Sequence, residues 1–134
     1  MRGAKVLDAY SVIAYLEKEP SAERVAECIK EARDAGRHLL LCTINWGEVY
    51  YIAVREAGKQ GAEKALEVIE TLPIKLVDPD LELTKQAALY KATHKMSYAD
   101  CFAAALAKTR KGTLITGDKE FKSIENEIKI AWLE

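Results

Sequence analysis

Five short apolar runs set the terms of this fold: AKVL (4–7), HLLLCT (38–43), IKLVD (74–78), TLIT (113–116) and IKIAWL (128–133). Runs so short and so apolar read as strands of a sheet covered on both faces, since a solvated face would require alternating polar residues. Between them lie stretches at helical spacing: SVIAYLEKE (11–19), SAERVAECIKEARDAG (21–36), NWGEVYYIAVREAG (45–58), GAEKALEVIETL (61–72), LELTKQAALYKATHK (81–95) and SYADCFAAALAKTRKG (97–112). Ser21 reads as a helix cap, Gly36 and Gly58 as stops, and Pro20 and Pro73 as breaks. Strands alternating with helices predict an α/β fold with a mainly parallel, five-stranded sheet. With 134 residues, no linker and no repeat, the expected unit is one domain over 1–134.

The formal net charge of −1 gives no basic field to attract nucleic acid. A nucleic-acid enzyme stays open, because a bound cation can place positive charge where phosphate must sit. Cys28, Cys42 and Cys101 are odd in number and far apart, and read as buried thiols of a cytoplasmic protein. Only His38 and His94 are present, so a His/Cys zinc cluster has too few ligands. No apolar run reaches membrane-spanning length, and no membrane association is expected.

Four carboxylates stand out by isolation. Asp8 is the only charge from Val6 to Leu16, Glu48 from Leu39 to Val54, and Asp100 from Met96 to Ala107, while Asp118 is the first after Gly112. Each has a bland role. Asp8 could cap the first helix, Glu48 and Asp100 could close capping boxes in NWGE and SYAD, and Asp118 could be a turn residue. In a parallel α/β sheet, however, strand C-termini and helix N-termini share one rim, and all four acids map to it. Capping explains single acids, whereas four converging ones repel unless some protonate or a divalent cation joins them. Oxygen-only ligands favour Mg²⁺ or Mn²⁺.

Through VLDAYSVIAYL, NWGEVYY, SYADCFAAALA and LITGDKEF, the chain resembles PIN-domain ribonucleases, and most closely the VapC-type toxins of toxin–antitoxin pairs. The resemblance runs nearly end to end and implies a PIN-like three-layer sandwich. It also implies hydrolysis of RNA phosphodiesters by metal-activated water, with Asp8, Glu48, Asp100 and Asp118 as catalytic metal ligands. Thr116 matches a hydroxyl residue beside the last acid, and Asn45 a polar residue supporting the site. Relatives often carry a small hydroxyl residue where this chain has Tyr10, with Ser11 next. The family further implies a homodimer and inhibition by a cognate antitoxin laid across the acidic rim. The apolar helix bearing Trp46, Tyr50 and Tyr51 is a candidate for the dimer contact.

Lys108, Arg110, Lys111 and Lys119, with Lys122, Lys91 and Lys95, are candidate RNA contacts, against the reading that they form a solvated face. Asp78 and Asp80 around Pro79 read as a turn and a helix cap. Rival readings remain. A receiver-like signalling domain would want an early acidic pair, and a haloacid-dehalogenase-like phosphatase a second Asp at position 10, where Tyr10 stands. A PIN fold used only for binding would not need all four acids.

Overall fold

A computed structural model describes residues 3–134. Five strands, β1 (Lys5–Leu7), β2 (Leu39–Cys42), β3 (Ile74–Val77), β4 (Thr113–Thr116) and β5 (Lys129–Trp132), form one sheet in the order β3-β2-β1-β4-β5. Every pairing is parallel, with Val6 opposite Leu40 on one side and Leu114 on the other. The chain therefore builds outward from β1 in one direction, then returns to lay β4 and β5 on the opposite side. The direction of travel reverses between β1 and β4, the switch point at which open α/β sheets take their ligands.

β1, β2 and β4 are almost wholly buried because helices cover both faces at the centre of the sheet, whereas the edge strands β3 and β5 expose Lys75, Leu76 and Lys129. Leu7, Leu39, Leu41 and Ile115 pack with Val12, Val25, Ile29, Val49 and Ile69, from α1 (Ala9–Leu16), α2 (Ala22–Asp34) and α3 (Thr43–Glu70). Val6, Leu40, Cys42 and Leu114 pack on the other face against α4 (Leu81–Thr93) and α5 (Tyr98–Thr109). The result is the three-layer sandwich expected. Along α5, Cys101 through Ala107 are all buried, and the small alanines let this helix lie close to the sheet. Among the described residues, no helix is long and apolar enough to cross a membrane.

The helical punctuation held at Gly58, whose φ of +71° interrupts α3 and separates the two helices expected there. Such a conformation strains a residue with a Cβ. Two details differ. Ser21 makes no side-chain capping bond, so α2 starts on backbone geometry alone. A 3-10 turn at Lys119–Ile124 also stands where the sequence showed only a polar stretch with a buried Phe121 and Ile124.

Candidate active site

β1 ends at Leu7, so Asp8 is delivered at the switch point, 1% exposed. Its Oδ1 accepts the Ser11 N–H at 2.9 Å, and the Ser11 hydroxyl accepts the Asp8 N–H at 3.1 Å, completing a capping box on α1. The other oxygen, Oδ2, accepts the Thr116 hydroxyl at 2.5 Å. Thr116 is wholly buried at the end of β4, and its Oγ1 in turn accepts the Asp118 N–H at 3.0 Å. Asp8 is thus a cap, and it is also tied to the loop that carries Asp118. Asp118 Oδ1 accepts the Glu120 N–H at 2.9 Å and starts the 3-10 turn.

Asp100 comes from the first turn of α5. The capping box expected in SYAD is only half made by that motif. Ser97 Oγ accepts the Asp100 N–H at 3.2 Å, but the Ser97 N–H donates to Glu120 Oε1 at 3.0 Å. Glu120 therefore does the reciprocal capping, which leaves the Asp100 carboxyl free to face the other acids. NWGE is no box at all: α3 begins at Thr43, so Asn45 and Glu48 both lie inside it. The fully buried Asn45 instead donates to Glu48 Oε1 at 3.1 Å and to the Ala99 carbonyl at 3.0 Å, fixing Glu48 and tying α3 to the turn before Asp100. Its Oδ1 is buried with no hydrogen-bond partner among the described residues.

The acids also perturb one another's ionisation. Burial, opposed by the Thr116 and Ser11 bonds and helped by the charge of Asp118, raises Asp8 to about 6. Asp100 is pushed up to about 9, first by burial, then by its hydrogen bond with Glu120 and by the charges of Asp118, Asp8 and Glu48. Burial also raises Glu48, against the Asn45 bond, and Asp118 and Glu120 add to the rise. Glu120 moves the other way, lowered by its bonds to Asp100 and to the Ser97 N–H. In that pair the buried Asp100 keeps the proton and the outlying Glu120 gives it up, because charge is less costly near water.

All four acids singled out in the sequence thus interact at one rim. Glu120 joins them and was missed there. One oxygen each from Asp100, Asp118 and Glu120 lies within 4.8 Å of the others. A crowd of acids that resist ionising together, with only hard oxygen donors and an orphaned amide oxygen on Asn45, fits a divalent cation of the Mg²⁺ or Mn²⁺ kind.

Other candidates fall elsewhere. Lys119 is at the rim, next to Asp118. Lys108, Arg110 and Lys111 are not: Lys108 lies in the last turn of α5 and the other two in the link to β4, and Arg110 lines a cavity with Gly3, Lys5 and Leu39 at the strand N-termini. Their closeness to Asp118 in sequence is undone by the length of β4, which carries the chain from one rim to the other. Lys91 donates to the Met96 carbonyl at 2.7 Å, close enough for its charge to act on Glu120, while Lys95 and Lys122 are exposed. Asp80 caps α4, as expected, through the Leu83 N–H at 2.8 Å. Asp78 follows β3, two strands away from β1. His94 faces Glu127 at 2.9 Å and His38 is exposed, away from the acids.

Comparison with known proteins agrees with this geometry. The PIN domain family pattern matches residues 5–127. No curated protein is significantly similar to the chain in sequence. Among solved structures, the DNA-bound VapBC complex from Salmonella typhimurium contains a chain similar with a TM-score of 0.76 at 18% identity, covering 100% of both chains. The promoter-bound VapBC2 complex from Rickettsia felis gives 0.76 at 17%, covering 96% of this chain and 97% of the other. Mycobacterium tuberculosis VapC20, a Sarcin-Ricin loop cleaving toxin, gives 0.67 at 15%, covering 89% and 93%. These likenesses speak to the fold, and the family pattern spans nearly every element of it: the chain belongs to the PIN domain family.

Proposed function

We propose that this chain is a Mg²⁺- or Mn²⁺-dependent endoribonuclease of the cytoplasm, acting as the toxin of a toxin–antitoxin pair. The observation that carries the reading is the convergence of Asp8, Glu48, Asp100 and Asp118, with Glu120, at the switch point between β1 and β4. Asp8, Asp100 and Asp118 would hold the cation, with Glu48 and Glu120 as further ligands, direct or through water. When bound, such an ion supplies an acidified water for attack and neutralises charge on the phosphate. The rest is the work of the chain's own groups. The Thr116 hydroxyl and the Ser11 amide hold the Asp8 carboxylate in one orientation. Asn45 does the same for Glu48, which is half-exposed and placed to orient a water.

An RNA backbone also needs cations beyond the metal, and Lys119 is the candidate best placed. The similarity to chains of VapBC complexes supports a protein antitoxin as partner. A rim of carboxylates attracts an arginine, whose guanidinium pairs with carboxylate in bidentate fashion. Exposed Ile44, Tyr51, Leu89 and Tyr98 support a homodimer. The test is cleavage of RNA by purified protein with Mg²⁺ or Mn²⁺, abolished by chelator and by Asp8→Asn. Undiminished cleavage in metal-free buffer refutes the mechanism. Light scattering that finds only monomer at high concentration refutes the dimer.

A further inference from the structure

Tyr10 is the second residue of α1, two positions after Asp8, and its ring lies on the backbone of Gly117, the residue before Asp118. A Cβ built on Gly117 would come within 2.5 Å of the ring's Cε1 and 2.8 Å of its Cζ, so only glycine allows this approach. At its tip the Tyr10 hydroxyl donates to Glu134 Oε2 at 3.0 Å. The ring is half-buried, resting on the edge of the core that contains Leu7, Val12 and Ile115. Several other rings are already engaged: Trp46 stacks on Tyr50, Tyr98 meets Phe102, Tyr90 meets His94, and Tyr51 lies under Arg55. Tyr10 has no such ring partner among the described residues, and it is held by Gly117, beside Asp118, and by Glu134 at its tip.

We propose that Tyr10 is a specificity-determining residue whose ring stacks on the base of a nucleotide beside the scissile phosphate. The inference rests on the nuclease reading above. A rim this acidic offers little to a phosphate except through a cation, whereas a fixed aromatic surface holds a base without regard to charge. A stacked base must leave its own helix, which excludes a fully paired duplex at that position. The Glu134 hydrogen bond and the bare Gly117 backbone set the ring before RNA arrives, so little ordering accompanies binding.

The experiment compares kcat/KM for an unpaired oligoribonucleotide with that for the same RNA carrying one abasic nucleotide, scanned across the cut site. Wild type, Tyr10→Phe and Tyr10→Leu are measured with Mg²⁺, and melting curves confirm their fold. A lost stack lowers kcat/KM by about 10-fold. That loss is expected for Tyr10→Leu on intact RNA and for wild type at one abasic position, with no further loss when the two are combined. Tyr10→Phe, which keeps the ring, stays within about 2-fold of wild type on the same scale. Equal loss by Tyr10→Leu on intact and abasic RNA means a packing role and overturns the proposal. So does an abasic scan in which wild type loses nothing at any position, an arm that needs no variant to fold. Failure of wild type to cleave any RNA is a different outcome: it removes the nuclease reading and this proposal with it.

Discussion

Replacing Asp8 by Asn tests the electrostatics of the site independently of any substrate. The folded protein holds the Asp8 proton with a pKa near 6, against 3.8 for an unperturbed side chain. The folded state therefore binds that proton more tightly than the unfolded state. Below the lower value both states are protonated and nothing is lost. As pH rises through the interval, ionising the buried carboxyl destabilises the fold, and above the upper value the whole penalty is present. Two units at about 1.4 kcal/mol each amount to about 3 kcal/mol. Asn keeps an oxygen for the Ser11 N–H and turns an NH₂ toward Thr116, whose hydroxyl can accept as well as donate. Metal-free Asp8→Asn should therefore gain stability relative to wild type as pH rises, by about 3 kcal/mol between pH 3.5 and pH 8. For a chain of this size the relative shift in Tm is on the order of 10 °C. Thermal melts in chelator across that range provide the assay, and adding Mg²⁺ should narrow the gap by stabilising wild type alone. A difference between the two proteins that stays constant with pH would refute the claim that Asp8 is a strained acid awaiting a cation.

The remaining predictions concern neighbouring residues. Asp100→Asn should abolish RNA cleavage and leave a folded protein, while Asp78→Asn changes neither, as cleavage assays and melting curves will show. Glu120→Gln should raise the Mg²⁺ concentration for half-maximal cleavage by about 10-fold, the scale seen when a supporting group of a metal site is lost. An unchanged metal titration would leave Glu120 as a cap of α5 and nothing more. Lys119→Ala should weaken RNA affinity several-fold on the scale of about 1 kcal/mol for one lost charge contact, whereas Lys108→Ala, Arg110→Ala and Lys111→Ala leave it unchanged in anisotropy titrations. Gly58→Ala should destabilise by about 1 kcal/mol, because the alanine Cβ strains the positive φ that breaks α3, and urea unfolding will read it.

The centre of the sheet was legible in the sequence because β1, β2 and β4 are short and buried on both faces, which leaves their apolar runs nearly unmixed, while the edge strands β3 and β5 admit Lys75 and Lys129. Asp8, Glu48, Asp100 and Asp118 were legible for the complementary reason: each is the lone charge of the largely apolar run that it sits in or ends. Glu120 lacks that signature. It sits between Lys119 and Lys122 in a stretch that looks like any wet surface, and its role arises only when the 3-10 turn folds back over the start of α5. The trace that could have led to it is the SYAD motif, where Asp100 cannot both serve its own helix and face the other acids. The misplacement of Lys108, Arg110 and Lys111 has the opposite origin: nearness in sequence was read as nearness in space, although β4 intervenes.

The order of strands in the sheet bears on how safely such a protein can be made. β1 lies at the centre and precedes every other strand along the chain, yet its second neighbour, β4, is not complete until Thr116. The hydrogen bond that aligns Asp8 joins residues 108 positions apart. A ribosome part-way through this message carries a chain whose central strand has one open edge and whose acids have not met. On the nuclease reading proposed above, hydrolytic competence therefore waits until β4 has joined β1, and fragments that lack β4 leave RNA uncut.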